Sequence, residues 1–156
     1  MAEANKGNDA RRALKLCAEM EREMGALYRD LAAAHAEDPE LAQLWFKTAR
    51  EEDNHARQFE LALLYDEKLG TVLVTSETAK ALVGVVPEMR WRLAEGQTSP
   101  VKALRTAIEL EERFADFHMT TVTTFGTPGL RKLFEAMMAA DRDHVAALRA
   151  ELAGRT

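Results

Sequence analysis

Glu51-Glu52-Asp53-Asn54-His55, residues 51–55, stands in the middle of a long stretch with helical periodicity. Glu52 and His55 are three residues apart, so both side chains leave one face of a helix. That face is otherwise apolar or small: Leu41, Trp45 and Thr48 precede the pair, and Phe59 and Ala62 follow it. A carboxylate and an imidazole in a core stripe are costly to bury unless something neutralises and ligates them. Asp141-Arg142-Asp143-His144 repeats the arrangement within the stripe Leu130, Leu133, Met137, Asp141, His144, Leu148.

Outward from residues 51–55, the chain divides into two hairpins. Asp38 as N-cap and Pro39 at the first helical position predict a helix running to about Leu69, closed by Gly70. Before it, residues 1–9 read as a flexible polar tail, and a helix runs from there to about Ala36. Its stripe is Leu14, Cys17, Glu21, Met24, Tyr28, Leu31, His35, again with one carboxylate at a core position. Ser99-Pro100 opens a third helix to about Phe125, with Leu104, Ala107 or Ile108, Glu111, Phe114, His118 and Val122 facing in. Thr127-Pro128 opens a fourth, to about Ala153. The joins within each hairpin are short, so each pair of helices is antiparallel.

The hairpins read as copies. Glu21 and Glu111 are 90 residues apart, and His55 and His144 are 89 apart. A duplicated hairpin predicts an all-α antiparallel four-helix bundle with pseudo-twofold symmetry. Residues 71–98 form the crossover, read as one or two short helices. A helix of ~26 residues is ~39 Å long, a span this crossover can cover. Its Leu82, Val83, Val85, Val86, Met89, Trp91 and Leu93 exceed the needs of a solvated linker, so it packs on the bundle or on a second subunit. Residues 10–156 are thus one domain.

Composition narrows the function. The 156 residues are 47% hydrophobic and 30% charged, ordinary for a soluble globular chain. The net charge is -5 without a basic cluster, which argues against nucleic acid and anionic membranes as partners. No apolar run approaches the ~20 residues that span a bilayer. The N-terminus lacks a signal peptide's apolar core, and the single cysteine, Cys17, permits neither an intrachain disulfide nor a Cys-x-x-Cys knuckle. The expected compartment is the cytoplasm.

Superposing the halves brings Glu21, Glu52, His55, Glu111, Asp141 and His144 to the bundle axis. Four crowded carboxylates would repel one another and draw up protons. Two divalent cations cancel the four negative charges, with the imidazoles as nitrogen donors. Iron or manganese suits this donor set, and zinc fits it less well. Glu51, Asp53, Glu112 and Asp143 read as solvated face charges, His35 as a helix C-terminal dipole partner, and Cys17 as a small buried apolar residue.

In Glu21 with Tyr28 seven positions on, Glu52-x-x-His55, Glu111 and Asp141-x-x-His144, the chain resembles the ferritin-like superfamily. Within it, the likeness is to the rubrerythrin-type di-iron domain, over residues 10–153. The resemblance implies two bound irons, reaction with hydrogen peroxide or dioxygen, and oxidation of ferrous iron. It assigns Glu21, Glu52 and His55 to one ion and Glu111, Asp141 and His144 to the other, with one or two carboxylates shared. It implies hydrogen bonds to the ligating carboxylates from Tyr28 on one side and His118 on the other. Asp141 stands where the family pattern has Glu, one methylene shorter. The rubredoxin-like Cys-x-x-Cys module of full rubrerythrins is missing, so an external electron donor is expected, and a homodimer is the expected assembly. The competing readings are a non-enzymatic iron-binding or storage protein and a metal-free bundle serving as an interaction module.

Overall fold

The architecture comes from a computed structural model that describes residues 2–65, 84–91, 98–122 and 128–156. The described residues are helical and contain no strand. Four long helices carry the fold: α1 (Ala2–Ala34), α2 (Pro39–Tyr65), α4 (Pro100–Val122) and α5 (Pro128–Ala153), with a short helix α3 at 84–91 between the pairs. α1 packs along α2 and α4 along α5, and α2 meets α5 across the bundle.

The helix starts follow their capping chemistry. Asp38 Oδ1 accepts the Leu41 N–H at 3.1 Å, and the Asp38 carbonyl accepts the Ala42 N–H at 2.9 Å. Ser99 does the same for α4: its Oγ accepts the Lys102 N–H and its carbonyl the Ala103 N–H. Each satisfies donors that the first helical turn leaves without a partner. The nine-residue tail expected from polarity is corrected from Ala2 onward, where residues 2–9 continue α1. Ala2, Glu3, Ala4 and Lys6 are strong helix formers, so a polar composition there is compatible with a helix. The expected ends of α2 at Leu69 and of α4 at Phe125, and most of the crossover, lie outside the described residues.

The periodic stripes are the core. Leu41, Trp45, Thr48 and Phe59 on α2, Leu14, Cys17, Met24 and Leu31 on α1, Leu104, Ala107, Ile108 and Phe114 on α4, and Met137 and Leu148 on α5 are all buried. Burying each large apolar side chain contributes about 1.5–3 kcal/mol. Phe59 and Phe134 meet edge to face at 5.2 Å and join α2 to α5. The crossover packs as expected where it is described: Val86 is fully buried, and Arg90 reaches Asp30 at 2.9 Å and Glu23 at 3.1 Å on α1. His35, just past α1, sets Nδ1 2.8 Å from the Leu31 carbonyl and Nε2 3.0 Å from that of Thr98, tying the end of α1 to the start of α4. Surface pairs Arg22–Glu60 and Arg29–Asp53 run between α1 and α2, and exposed pairs of this kind contribute little each.

Gly25 sets how closely α1 approaches α2. A Cβ there would stand 3.0 Å from Asp53 Oδ1 and 3.3 Å from the Ala49 carbonyl oxygen. Gly25→Leu should therefore force the hairpin apart, at about 1–3 kcal/mol for overpacking. Urea unfolding checks this: the midpoint should fall, and an unchanged midpoint would show that the approach is not tight.

Candidate metal centre

Each long helix contributes to the centre because its inward stripe carries a polar residue at mid-length. Glu21 comes from α1, Glu52 and His55 from α2, Glu111 from α4, and Asp141 and His144 from α5. All six are buried, none more than 6% exposed. The three-residue spacing on α2 sets Glu52 Oε2 3.3 Å from His55 Nδ1. From α5, His144 Nδ1 lies 2.9 Å from Glu52 Oε1. Glu52 therefore stands between the two imidazoles, whose rings lie near parallel with centroids 5.7 Å apart.

Two groups can each offer three donor atoms within 4.8 Å of one another: Glu21, Glu52 and His55, and Glu52, Glu111 and His144. Glu52 belongs to both. Asp141 belongs to neither; its Oδ1 lies 3.9 Å from His55 Nδ1. The resemblance places Asp141 with Glu111 and His144 and allows a shared carboxylate; Glu52 is the carboxylate that these two triads share. An aspartate is one methylene shorter than the glutamate of the motif, which limits its reach into the centre.

Tyr28 is fully buried and donates a hydrogen bond to Glu111 Oε1. Its ring stacks on Trp45 with centroids 5.6 Å apart and planes 11° apart, which fixes where the hydroxyl points. The side chain of His118 lies outside the described residues. Glu112 faces away and pairs with Arg149, as a face charge should. Glu51 does not behave as a face charge: its Oε2 lies 2.5 Å from His144 Nε2. Periodicity alone misses it, because residue 51 flanks the inward stripe and meets His144 only once α5 is in place. The one available signal was its position beside the glutamate of the motif.

The electrostatics show what this cluster lacks. Burial, then the charge of Glu52, raises the Glu21 carboxyl well above the usual carboxylate range. Burial and Glu52 likewise raise Glu111. Burial works to raise Glu52 as well, but proton-bearing Glu21, His144 and His55 around it prevail and hold it well below that range. Burial works to lower His144, yet Glu52 beside it pushes it up to about 9, and His55 is raised in the same way. The centre without metal is thus a set of carboxylates neutralised by protons and imidazolium charge. Glu52 Oε1 and His144 Nδ1 are close, but neither makes an aligned hydrogen bond, though both are buried. Buried oxygen and nitrogen atoms left this way, in two overlapping triads of hard and borderline donors, fit a pair of divalent cations.

The Rubrerythrin family model matches residues 12–152. The chain belongs to the rubrerythrin family. The fold is shared with a crystal structure from Thermotoga maritima, described as a ferritin-like diiron-carboxylate protein, at a TM-score of 0.72. That likeness covers 95% of this chain and 97% of the other, at 14% sequence identity. Among curated proteins, none matches the sequence. Among the described residues, no helix is long and apolar enough to cross a membrane.

The proton-filled centre gives the stability of the metal-free protein a definite pH dependence. His144 is raised from 6.5 to about 9, so its contribution is complete below pH 6.5 and is lost as pH rises through about 9. The loss is roughly 3 kcal/mol at most. Raised Glu21 and Glu111 act in the same direction, and depressed Glu52 acts oppositely, losing its contribution as pH falls below the usual carboxylate range. In chelator, the melting temperature should peak at mildly acidic pH and fall toward pH 9. A flat or rising profile between pH 6.5 and 9 would contradict this account.

Proposed function

We propose that this protein holds two divalent metal ions in the bundle, iron foremost with manganese or zinc as substitutes. We propose further that it reduces hydrogen peroxide or dioxygen while ferrous iron is oxidised. The observation that carries the reading is Glu52: one buried carboxylate faces an imidazole on each side and belongs to both donor triads. A residue so placed suits a bridge between two ions.

Bound there, iron would supply the electrons and the open coordination positions for reducing the oxidant. The chain supplies everything around it. Glu21 with His55, and Glu111 with His144, would complete the two positions around shared Glu52. Asp141 would be the fourth carboxylate, bringing the charge of the centre level with two divalent ions. Tyr28 holds Glu111 by one oxygen and so limits how that carboxylate turns. Trp45, Phe59, Phe134 and Met137 belong to the buried apolar core in which the centre is set. Reducing hydrogen peroxide to two waters consumes two electrons and two protons. A cleft of about 450 Å³ lined by Glu112, Asp116, Asp141 and Arg142 has room for a small oxidant beside Asp141.

The only cysteine is buried, and burial pushes its thiol up, so it is not a ready electron relay. The proposal therefore includes a separate electron donor. It also includes a cytoplasmic setting and a homodimer, supported by exposed Phe46, Leu61, Leu64 and Trp91. Nucleic acid and membrane partners are not part of it.

Anaerobic addition of ferrous iron should load about two ions per chain. Peroxide or dioxygen should then oxidise that iron faster than iron in buffer. Glu52→Ala should abolish both binding and the accelerated oxidation, and His144→Ala should remove at least one ion. Unchanged oxidation in both variants would sink the enzymatic reading. Two bound ions without accelerated oxidation would favour storage, and a melting temperature indifferent to chelators a metal-free module.

A further inference from the structure

The two halves of the bundle differ at the positions that flank the metal centre. The 89-residue offset that carries His55 onto His144 carries Glu52 onto Asp141 and Glu51 onto Ala140. Glu51 Oε2 lies 2.5 Å from His144 Nε2. Among the described residues, no carboxylate stands against Nε2 of His55; its carboxylate neighbours all face Nδ1. The surroundings differ in the same sense. A cleft of about 240 Å³ between α2 and α5 opens onto His144 and is lined by Lys47, Thr48, Glu51 and Asp143. The offset carries these onto Ala136, Met137, Ala140 and Asn54, with no charge among them.

We propose that the two metal positions are unequal and fill in order, with Glu51 the positioning residue that sets the order. This rests on the two-metal reading above. The Glu52/Glu111/His144 position fills first and the Glu21/Glu52/His55 position second. Glu51 Oε2, 2.5 Å from His144 Nε2, is placed to accept the Nε2–H, which would leave the Nδ1 lone pair toward the centre once a metal displaces its proton. A carboxylate so placed also makes the imidazole a stronger donor, and losing such a partner typically weakens metal binding 10–100-fold. His55 has no such brace and must settle its tautomer and ring orientation as the ion binds. The charged cleft gives a hydrated cation polar groups on its way to His144. Sharing adds a third effect: once the first ion engages Glu52, a second meets a carboxylate already in use and a like charge nearby.

Cobalt(II) titration of the metal-free full-length protein, read by visible absorption and calorimetry, tests the order without reference to turnover. Two resolved steps of one ion each are expected. Glu51→Ala should weaken the tighter step about 10–100-fold and leave the weaker one in place. Glu51→Gln, which keeps an oxygen acceptor for the Nε2–H, should recover part of the loss. Ala140→Glu should supply the missing brace to His55 and tighten the second step. Melting of each metal-free variant separates misfolding from lost binding, and if Glu51→Ala does not fold, Ala140→Glu decides. Two equal steps in the unaltered protein would overturn the proposal and leave the two-metal reading standing. So would Glu51→Ala acting on both steps alike or on neither. Failure of the unaltered protein to bind cobalt would overturn the two-metal reading itself.

Discussion

Four carboxylates inside a helical bundle must be compensated, and the rest of the molecule is arranged around that requirement. Glu21, Glu52, Glu111 and Asp141 are each at least 97% withdrawn from solvent, in a core otherwise made of leucine, methionine and aromatic rings. Without cations, protons do the compensating: Glu21 and Glu111 hold theirs above the usual range, and the two imidazoles are pushed toward the charged form beside Glu52. Protons are a poor substitute geometrically. They leave Glu52 Oε1 and His144 Nδ1 close but misaligned. Divalent cations would satisfy the same atoms by coordination and release the protons, so binding and folding draw on one interaction.

That requirement explains why the bundle is built on long helices rather than on loops. A loop cannot hold six polar groups within a few ångströms against their repulsion. Helices anchored by Trp45, Phe59, Leu104 and Met137 can, because moving any one group means shifting a whole packed stripe. Tyr28 shows how far this goes. Its hydroxyl reaches Glu111 while its ring stacks on Trp45, between the two helices that close tightly at Gly25.

Most of this was legible in the sequence for one physical reason. A buried helix face repeats every three to four residues, and a polar side chain on that beat stands out. Glu21, Glu52, His55, Glu111, Asp141 and His144 were found this way, and all six are buried. The capping pairs Asp38-Pro39 and Ser99-Pro100 fixed two helix starts because their chemistry is local. What escaped depends on two helices at once. Glu51 flanks the stripe, and only the approach of α5 turns it from a surface charge into the partner of His144. The early start of α1 escaped because polarity and helix propensity make opposite suggestions there, and propensity prevailed.

The internal duplication supplies the remaining step. Two copies of one hairpin begin with equal halves, and any substitution near the axis then affects one half alone. In this chain the halves keep their polar core positions in register and differ in several of the residues at and beside the centre. Glu52 in one half is Asp141 in the other, and Glu51 is Ala140. The first difference leaves Glu52 as the one carboxylate common to both donor triads. The second leaves His144, among the described residues, as the imidazole with a carboxylate against its Nε2. The fold keeps its twofold frame while the side chains set within it are no longer equivalent.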